Sequence, residues 1–412
     1  MLQSISMEKA LEIFQGYAST VGMEEVSITD SFERILAEDI VAGFPLPPFC
    51  RSPLDGYALR AADTAGADDI SPASLRVSQT IYAGEVPAGP LLAGETAAVT
   101  TGAPLPEGSD TVIRFEDICR EGDTIAIRSA LRAGDNVVTQ GEDIARGEKA
   151  LEKGANITPA AVGLLASLGL QRVKVFKKPR VAIFSTGDEL LDVTEQMRPG
   201  KIYNSNLYSL SAQVREAGGS AFPIGTIVDE KNAIADALKG ALADYDMILT
   251  TGGASVGGKD LIKDAITLCG ATTLFWKVGM KPGTPAVCGE KNGKLIVGLS
   301  GNPSAAMITF LMLVRPLLRA MAGKGSGNLP EVSAVMEEPF KKKSKQRRLL
   351  RAVVAWKDGA YHAIPAGIQS PGALKSMVAC NALIDIPANH GPLQAGEEVT
   401  ALLLPPQYCL HG

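Results

Sequence analysis

Histidine is nearly missing from this chain: 412 residues hold three, His362, His390 and His411, all near the C-terminal end. A histidine-based zinc site or a serine triad in the middle of the sequence is therefore excluded unless another domain or subunit contributes. Cysteine is present but unpatterned. Cys50, Cys119, Cys269, Cys288, Cys380 and Cys409 include no Cys-x-x-Cys pair, so the thiols read as reduced. The opening nine residues lack the apolar centre of a secretory signal, which points to the cytoplasm. There is no excess of base either. With 40 Lys and Arg against 45 Asp and Glu, the net charge is −5, which argues against nucleic acid as a partner. An anionic ligand would need a local positive field. Finally, the uncharged run that could be taken for a membrane span is broken in its middle. Residues 295–314 carry no charge, but Ser300-Gly-Asn-Pro-Ser304 divides them into a strand and a helix, with Asn302 as N-cap and Pro303 at the first helical position.

What is present is the composition of a globular protein, 46% hydrophobic and 21% charged, with 43 Gly and 25 Pro to serve many turns. The length calls for several domains. Apolar residues at helical spacing, among them Met7, Leu11, Phe14, Phe32, Ile35 and Leu36, predict a helical N-terminal region. From Phe44 the pattern turns to Pro, Gly and short β-type runs at 76–82, 95–100, 111–116 and 124–128. Helical pattern returns at 158–170, behind Thr158 as a cap, so the β module reads as an insertion. From Pro179 strands alternate with amphipathic helices, as in a parallel sheet with crossover helices. After residues 324–330 strand-like runs resume at 348–356, 383–386 and 399–404. The expected domains are 1–43 with 144–178 (a discontinuous helical domain), 44–143 (inserted and β-rich), 179–324 (α/β) and 325–412 (C-terminal, β-barrel-like).

Ligands of such a sheet bind at the carboxyl ends of its strands. The segment Thr250-Thr-Gly-Gly-Ala-Ser-Val-Gly-Gly-Lys-Asp260 follows one strand and precedes a helix. Gly252, Gly253 and Gly257 would let the backbone approach an anion, and Ser255 adds a hydroxyl. A lone Gly-rich loop is about as often a plain turn. Here two further strand-end loops carry donors and positive charge: Lys277 to Thr284, with Lys277 and Lys281, and Gly298 to Pro303, with Ser300. Carboxylates complete the set: Asp188, Glu189, Asp229 and Asp260 could hold a divalent hard cation against phosphates. Any one of them alone reads as a helix cap; the cluster points to chemistry. The basic run from Lys341 to Arg348 reads as an exposed hairpin flank, and Lys345 to Arg351 can also help a cleft attract anions.

Ser52-Pro-Leu-Asp-Gly-Tyr57, Thr101-Gly-Ala-Pro-Leu-Pro-Glu-Gly108, Ser185-Thr-Gly-Asp-Glu-Leu190, the Gly-rich loop and Met280-Lys-Pro-Gly283 occur in an order that resembles the MoeA family. These are molybdopterin molybdenumtransferases, related to the C-terminal domain of gephyrin. The resemblance covers nearly the whole chain. It implies a multidomain α/β plus β architecture, an α/β domain similar to the molybdopterin adenylyltransferase fold, and a homodimer whose clefts are shared between subunits. It further implies that adenylylated molybdopterin and molybdate react with Mg²⁺ to give molybdenum cofactor and AMP, with contact to an adenylyltransferase that supplies the substrate. On the family's motifs, Asp55, Glu189, Asp229 and Asp260 become catalytic, with Glu189 and Asp260 at the metal. Thr101, Asp143, Lys277, Lys281, Pro303 and Ser370 become substrate-binding, Ser370 in the last domain facing the partner's cleft. Thr284, Ser300 and Pro371 depart from the common pattern, which leaves tungstate beside molybdate as the oxyanion. A non-catalytic molybdopterin-binding scaffold is the other alternative.

Overall fold

The computed structural model describes residues 1–253, 261–325 and 327–408. The chain folds as two units, Glu25–Lys174 and the remainder, Met1–Glu24 with Val175–Gly412.

The larger unit is built on a seven-stranded sheet in the order Leu2–Ile5, Thr272–Val278, Val287–Lys291, Lys294–Leu299, Met247–Thr251, Arg180–Thr186, Ser220–Ile227. Strict alternation along these strands explains how one sheet serves two cores. Val181, Ile183, Met247, Leu249, Leu295 and Val297 face the helices Met7–Gln15, Ser205–Glu216 and Pro303–Thr309. Ala182, Phe184, Ile248 and Ile296 face Lys231–Asp244 and Leu261–Leu268. Full burial of each large apolar side chain contributes about 1.5–3 kcal/mol, which makes both faces necessary to the fold. The strand ends at Thr186, Ile227, Thr251 and Leu299 are mutually parallel neighbours, so their following loops leave one edge together.

Two features depart from the alternating pattern. The expected parallel sheet is mixed, because Val287–Lys291 pairs antiparallel with both neighbours. Helix in the first forty residues narrows to Met7–Gln15, capped by Ser6. Leu2–Ile5 before it adds a parallel edge strand to Thr272–Val278, and Met23–Ser27 is a strand. Ile35 and Leu36 are buried from a bend in which Ile35 bridges Asn156, so their spacing reflects a tertiary contact and not a helix face.

The run Pro303–Met321 is long and apolar enough to cross a membrane, yet 72% of it is buried in the unit. Its apolar character is that of a core helix, with a π turn at Phe310–Val314. Beyond it, strands Arg347–Lys357, Ala360–Pro365, Glu331–Met336, Glu398–Leu403 and Ala382–Ile386 pair in that order, and the last pairs back to the first, closing a five-stranded barrel. Leu350, Ala352, Val354, Ile384 and Ala401 fill it. Met280–Lys281 joins its rim, parallel to Arg347 and Arg348.

The smaller unit carries a six-stranded sheet in the order Thr111–Arg114, Gly56–Leu59, Glu95–Val99, Ala73–Ile81, Thr124–Ile127, Cys119–Glu121. Its helix Pro159–Ser167 begins as expected, with Thr158 Oγ1 accepting from Ala161 N at 3.2 Å.

Candidate functional site

Four strand-end loops of the larger unit crowd together. After Arg180–Thr186 the chain turns through Gly187 at φ +149°, where a Cβ would lie 2.7 Å from the Glu189 carboxylate. Glu189 thus folds back over its own loop. Lys201 donates from Nζ to the Asp188 carbonyl at 2.5 Å, which anchors the turn. After Met247–Thr251, Gly252 and Gly253 adopt φ +88° and +63°, a region that costs other residues strain. A Cβ on Gly252 would fall 2.0 Å from the Thr186 carbonyl oxygen, and one on Gly253 2.9 Å from Thr186 Oγ1. The loop is glycine because it presses on its neighbour. Ser255, Gly257 and Asp260 lie outside the described residues.

Asp229, two residues beyond the Ser220–Ile227 strand, is half-buried, and its Oδ1 is enclosed with no hydrogen-bond partner. Burial pushes its pKa up, and the Asp188 and Glu189 carboxylates add to the rise against the pull of the Thr186 hydroxyl and the Asp188 amide. The charges of Asp188 and Glu189 are thus felt at Asp229, although among the described residues no three acidic, histidine or cysteine side chains close on a common point. Among the described residues no lysine or arginine forms an ion pair with any of them.

On the other flank, Lys277 ends the Thr272–Val278 region at φ +68°. Its Nζ stands 4.0 Å from the centre of the Trp276 ring, with Lys263 Nζ at 5.0 Å, so the indole gathers two ammonium groups. Lys281 is exposed on the short strand paired to Arg348. Beyond Lys281, Thr284 is turned inward, its hydroxyl donating to the Met280 carbonyl at 2.7 Å and lying 3.1 Å from Gln346 Oε1.

In the loop after Lys294–Leu299, Ser300 is buried, and its Oγ accepts from Asn302 N at 3.2 Å. Pro303 opens the helix as expected, but Asn302 gives no side-chain cap. The Pro371 carbonyl takes that role, accepting from Ser304 N at 3.0 Å and Ser304 Oγ at 2.7 Å. Ser370, exposed beside it, thus sits against the start of this chain's own helix, and its carbonyl accepts from Ser304 Oγ at 3.3 Å.

The sequence offers Arg351 only as the end of a basic stretch, Lys345 to Arg351, that can draw anions to a cleft. Arg351 is only 1% exposed, yet it holds a guanidinium that donates to Ser304 Oγ, to the Ile368 carbonyl at 3.2 Å and to the Ser370 carbonyl at 3.1 Å. Its Nε has no partner, and burial depresses its pKa. Its burial is not legible in the sequence, because the basic run that precedes it reads as an exposed flank.

In the smaller unit Asp55 and Thr101 are joined. Thr101 donates from N at 2.7 Å and from Oγ1 at 2.9 Å to Asp55 Oδ1, and these bonds hold the carboxyl below its usual range. Gly56 beside it is obligatory, since a Cβ would lie 2.1 Å from the Ile113 carbonyl. Asp143 is exposed in a separate turn, its N–H bonded to the Leu46 carbonyl at 3.0 Å. No hydrogen bond connects it to Asp55 among the described residues.

Residues 5–169 match the MoeA N-terminal region (domain I and II), residues 182–320 a probable molybdopterin binding domain, and residues 333–404 the MoeA C-terminal region (domain IV). The chain is similar to a molybdopterin molybdenumtransferase of Bacillus subtilis, 37% identical over 92% of this chain and 90% of that one. It is also similar to one from Staphylococcus aureus, at 33% over 97% and 95%. Among solved structures, a molybdopterin biosynthesis MoeA protein from Pyrococcus horikoshii superposes with a TM-score of 0.86 at 34% identity, covering 97% of this chain and 99% of that one.

Proposed function

This chain belongs to the MoeA family, enzymes of molybdenum cofactor biosynthesis, and from that premise we propose that it is a molybdopterin molybdenumtransferase that inserts molybdate into adenylylated molybdopterin with release of AMP. The observation that carries the reading is the enclosed, unpartnered Oδ1 of Asp229, crowded by Asp188 and Glu189 at the edge where the Gly252-Gly253 turn emerges. Carboxylates kept together without a counter-charge are costly unless a cation joins them. These acceptor-only oxygens fit a hard divalent ion such as Mg²⁺. Glu189, with Asp188, Asp229 and Asp260, would hold it. When bound, it neutralises charge on the bridging phosphates.

The remaining work falls to the protein's own groups. Gly252 and Gly253 bring backbone close to the nucleotide phosphates. Lys277 and Lys281 supply point charges for the oxyanion or the pterin phosphate, and the buried Arg351, beside Ser370, Ser304 and the start of the Pro303 helix, adds a fixed one. In the smaller unit, Asp55 with Thr101, and Asp143, are further candidates for binding substrate. A homodimer, contact with a molybdopterin adenylyltransferase and a cytoplasmic location complete the proposal.

The test is direct. Purified protein given Mg²⁺, molybdate and adenylylated molybdopterin should release AMP, and Glu189→Gln should not. Retention of the pterin nucleotide without turnover would point instead to a binding scaffold. Competition between molybdate and tungstate at equal concentration then reads out the preferred oxyanion.

A further inference from the structure

Two asparagines, Asn204 and Asn206, flank the first residue of the Ser205–Glu216 helix, and both are buried, 2% and 7% exposed. Each reaches across the sheet edge to a different pair of strand ends. Asn204 Oδ1 accepts from Ser185 Oγ at 3.0 Å and caps the helix by accepting from Leu207 N at 3.2 Å, while its Nδ2 donates to Thr226 Oγ1 at 3.1 Å. It ties the Arg180–Thr186 strand to Ser220–Ile227. Asn206 Nδ2 donates to Thr251 Oγ1 at 2.7 Å and to the Gly301 carbonyl at 2.9 Å. Thr251 Oγ1 passes its own proton to the Ser300 carbonyl at 3.1 Å. The polarity of this chain is fixed: Thr251 spends its proton on Ser300, so its oxygen can only accept, and so can Gly301 O. Asn206 must therefore present its amide nitrogen, whose two N–H groups serve both acceptors.

We infer that Asn206 is a positioning residue for the reaction, setting the separation between the Gly252-Gly253 turn and the Ser300 to Pro303 turn through Thr251 and Gly301. The two turns already touch, since a Cβ on Gly301 would meet Gly252 Cα at 3.4 Å. With no slack between them, a shift at either end is transmitted to the other. Both turns are walls of the anion cleft, so the inference rests on the function proposed above. Asn204 does the same for the Ser185 and Thr226 side, which carries Glu189 and Asp229.

The discriminating substitution is Asn206→Asp. It keeps the shape but replaces a two-proton donor by an acceptor facing two acceptors. It should lower kcat/KM for AMP release about 100-fold, with most of the loss in kcat, because misplacing reacting groups costs rate more than ground-state binding. Thr251→Val, isosteric but without the hydroxyl, should reproduce that loss. Thr251→Ser should stay within about 2-fold. The double variant Asn206→Asp with Thr251→Val should be no worse than either single one, since both break one chain. Amide hydrogen exchange gives a readout independent of turnover: Asn206→Asp should speed exchange at Gly252, Gly253 and Asn302 and leave Ser185 and Thr186 protected. Unchanged kcat/KM in Asn206→Asp, additive losses in the double variant, or exchange that rises evenly over the unit would each overturn the inference. Should wild-type protein release no AMP, the proposed function fails while the exchange pattern still decides the role of Asn206.

Discussion

The carbonyl oxygen of Thr186 occupies the place where a side chain on Gly252 would begin, 2.0 Å from the ideal Cβ position. The carboxylate loop and the glycine turn are thus fitted to each other at a single atom. Gly252 also sits at φ +88°, so an added methyl meets both a clash and a strained backbone. Gly252→Ala should displace the turn by the order of an ångström and lower AMP release about 100-fold. Gly240→Ala, on the Lys231–Asp244 helix with open space around the added methyl, should leave activity intact and raise the melting temperature slightly. Equal activity losses in the two variants would show that the contact with Thr186 is not what matters.

Asp229 is half-buried with one oxygen unpartnered, so burial disfavours its charged form, and the Asp188 and Glu189 carboxylates add to that cost. Asp229→Asn removes one charge and should raise the melting temperature of metal-free protein by about 1–3 °C. Mg²⁺ should stabilise the wild type by mass action and do so much less in the variant. Thermal shift with and without a chelator measures both. A variant that is less stable than wild type in chelator would mean that Asp229 is held by attraction, and the cation site would have to be sought elsewhere.

Much of this edge is legible in the sequence, for a physical reason. Strands such as Val181 to Phe184 and Leu295 to Leu299 are fixed by alternation, and the residues after them must then lie on one side of the sheet. Glu189, Asp229, Gly252 and Ser300 were reachable by that reasoning alone. Leu2–Ile5 was not, because its side chains are largely exposed and only its backbone pairing to Thr272–Val278 makes it a strand. Nor was the cap at Ser304, where the Pro371 carbonyl displaces the local candidate Asn302 from a distance of 67 residues. Asn206 is silent in sequence for the same reason: its partners Thr251 and Gly301 are 45 and 95 residues away.

The Asp55 carboxyl is lowered because Thr101 donates to it from both its amide and its hydroxyl. A depressed folded pKa means stability that is present above the ordinary carboxylate value of about 3.9 and is lost as pH falls through the folded value. Thr101→Val removes one donor without changing shape. The Asp55 midpoint, followed by carboxyl carbon chemical shift, should rise towards the ordinary value, and the acid limb of the unfolding curve should begin at higher pH. An unmoved midpoint would assign the whole shift to the backbone amide.

Lys341, Lys342, Lys343 and Lys345 are exposed and form no ion pair among the described residues, whereas Arg347 is neutralised by Asp385 and Glu8. The chain then enters the Arg347–Lys357 strand, in which Arg348 is the register partner of Lys281. In a chain of net charge −5 this run supplies a local positive field at the cleft rim. Replacing the four lysines by glutamine should lower kcat/KM about 10-fold at low ionic strength, with kcat unchanged. The difference should vanish near 1 M salt, where the screening length is about 3 Å. A salt-independent deficit would make the lysines contacts and not a steering field.

Arg351 presents the sharpest energetic question, since a cation buried to 1% exposure donates, among the described residues, to neutral oxygens: Ser304 Oγ and the carbonyls of Ile368 and Ser370. Hydrogen bonds to neutral acceptors do not offset the loss of hydration of a full charge, so the free protein carries a cost that a bound oxyanion would relieve. Arg351→Met fills similar volume and removes both the charge and its bonds. The two effects oppose, about 1–3 kcal/mol for acceptors left unsatisfied against the desolvation recovered. The melting temperature should therefore change little while kcat/KM falls at least about 100-fold. Molybdate should stabilise the wild type against heat and leave Arg351→Met unmoved. If the variant instead unfolds readily and molybdate stabilises it as much as the wild type, the guanidinium is a clamp between the Ser370 loop and the Pro303 helix, and the oxyanion rests on Lys277 and Lys281 alone.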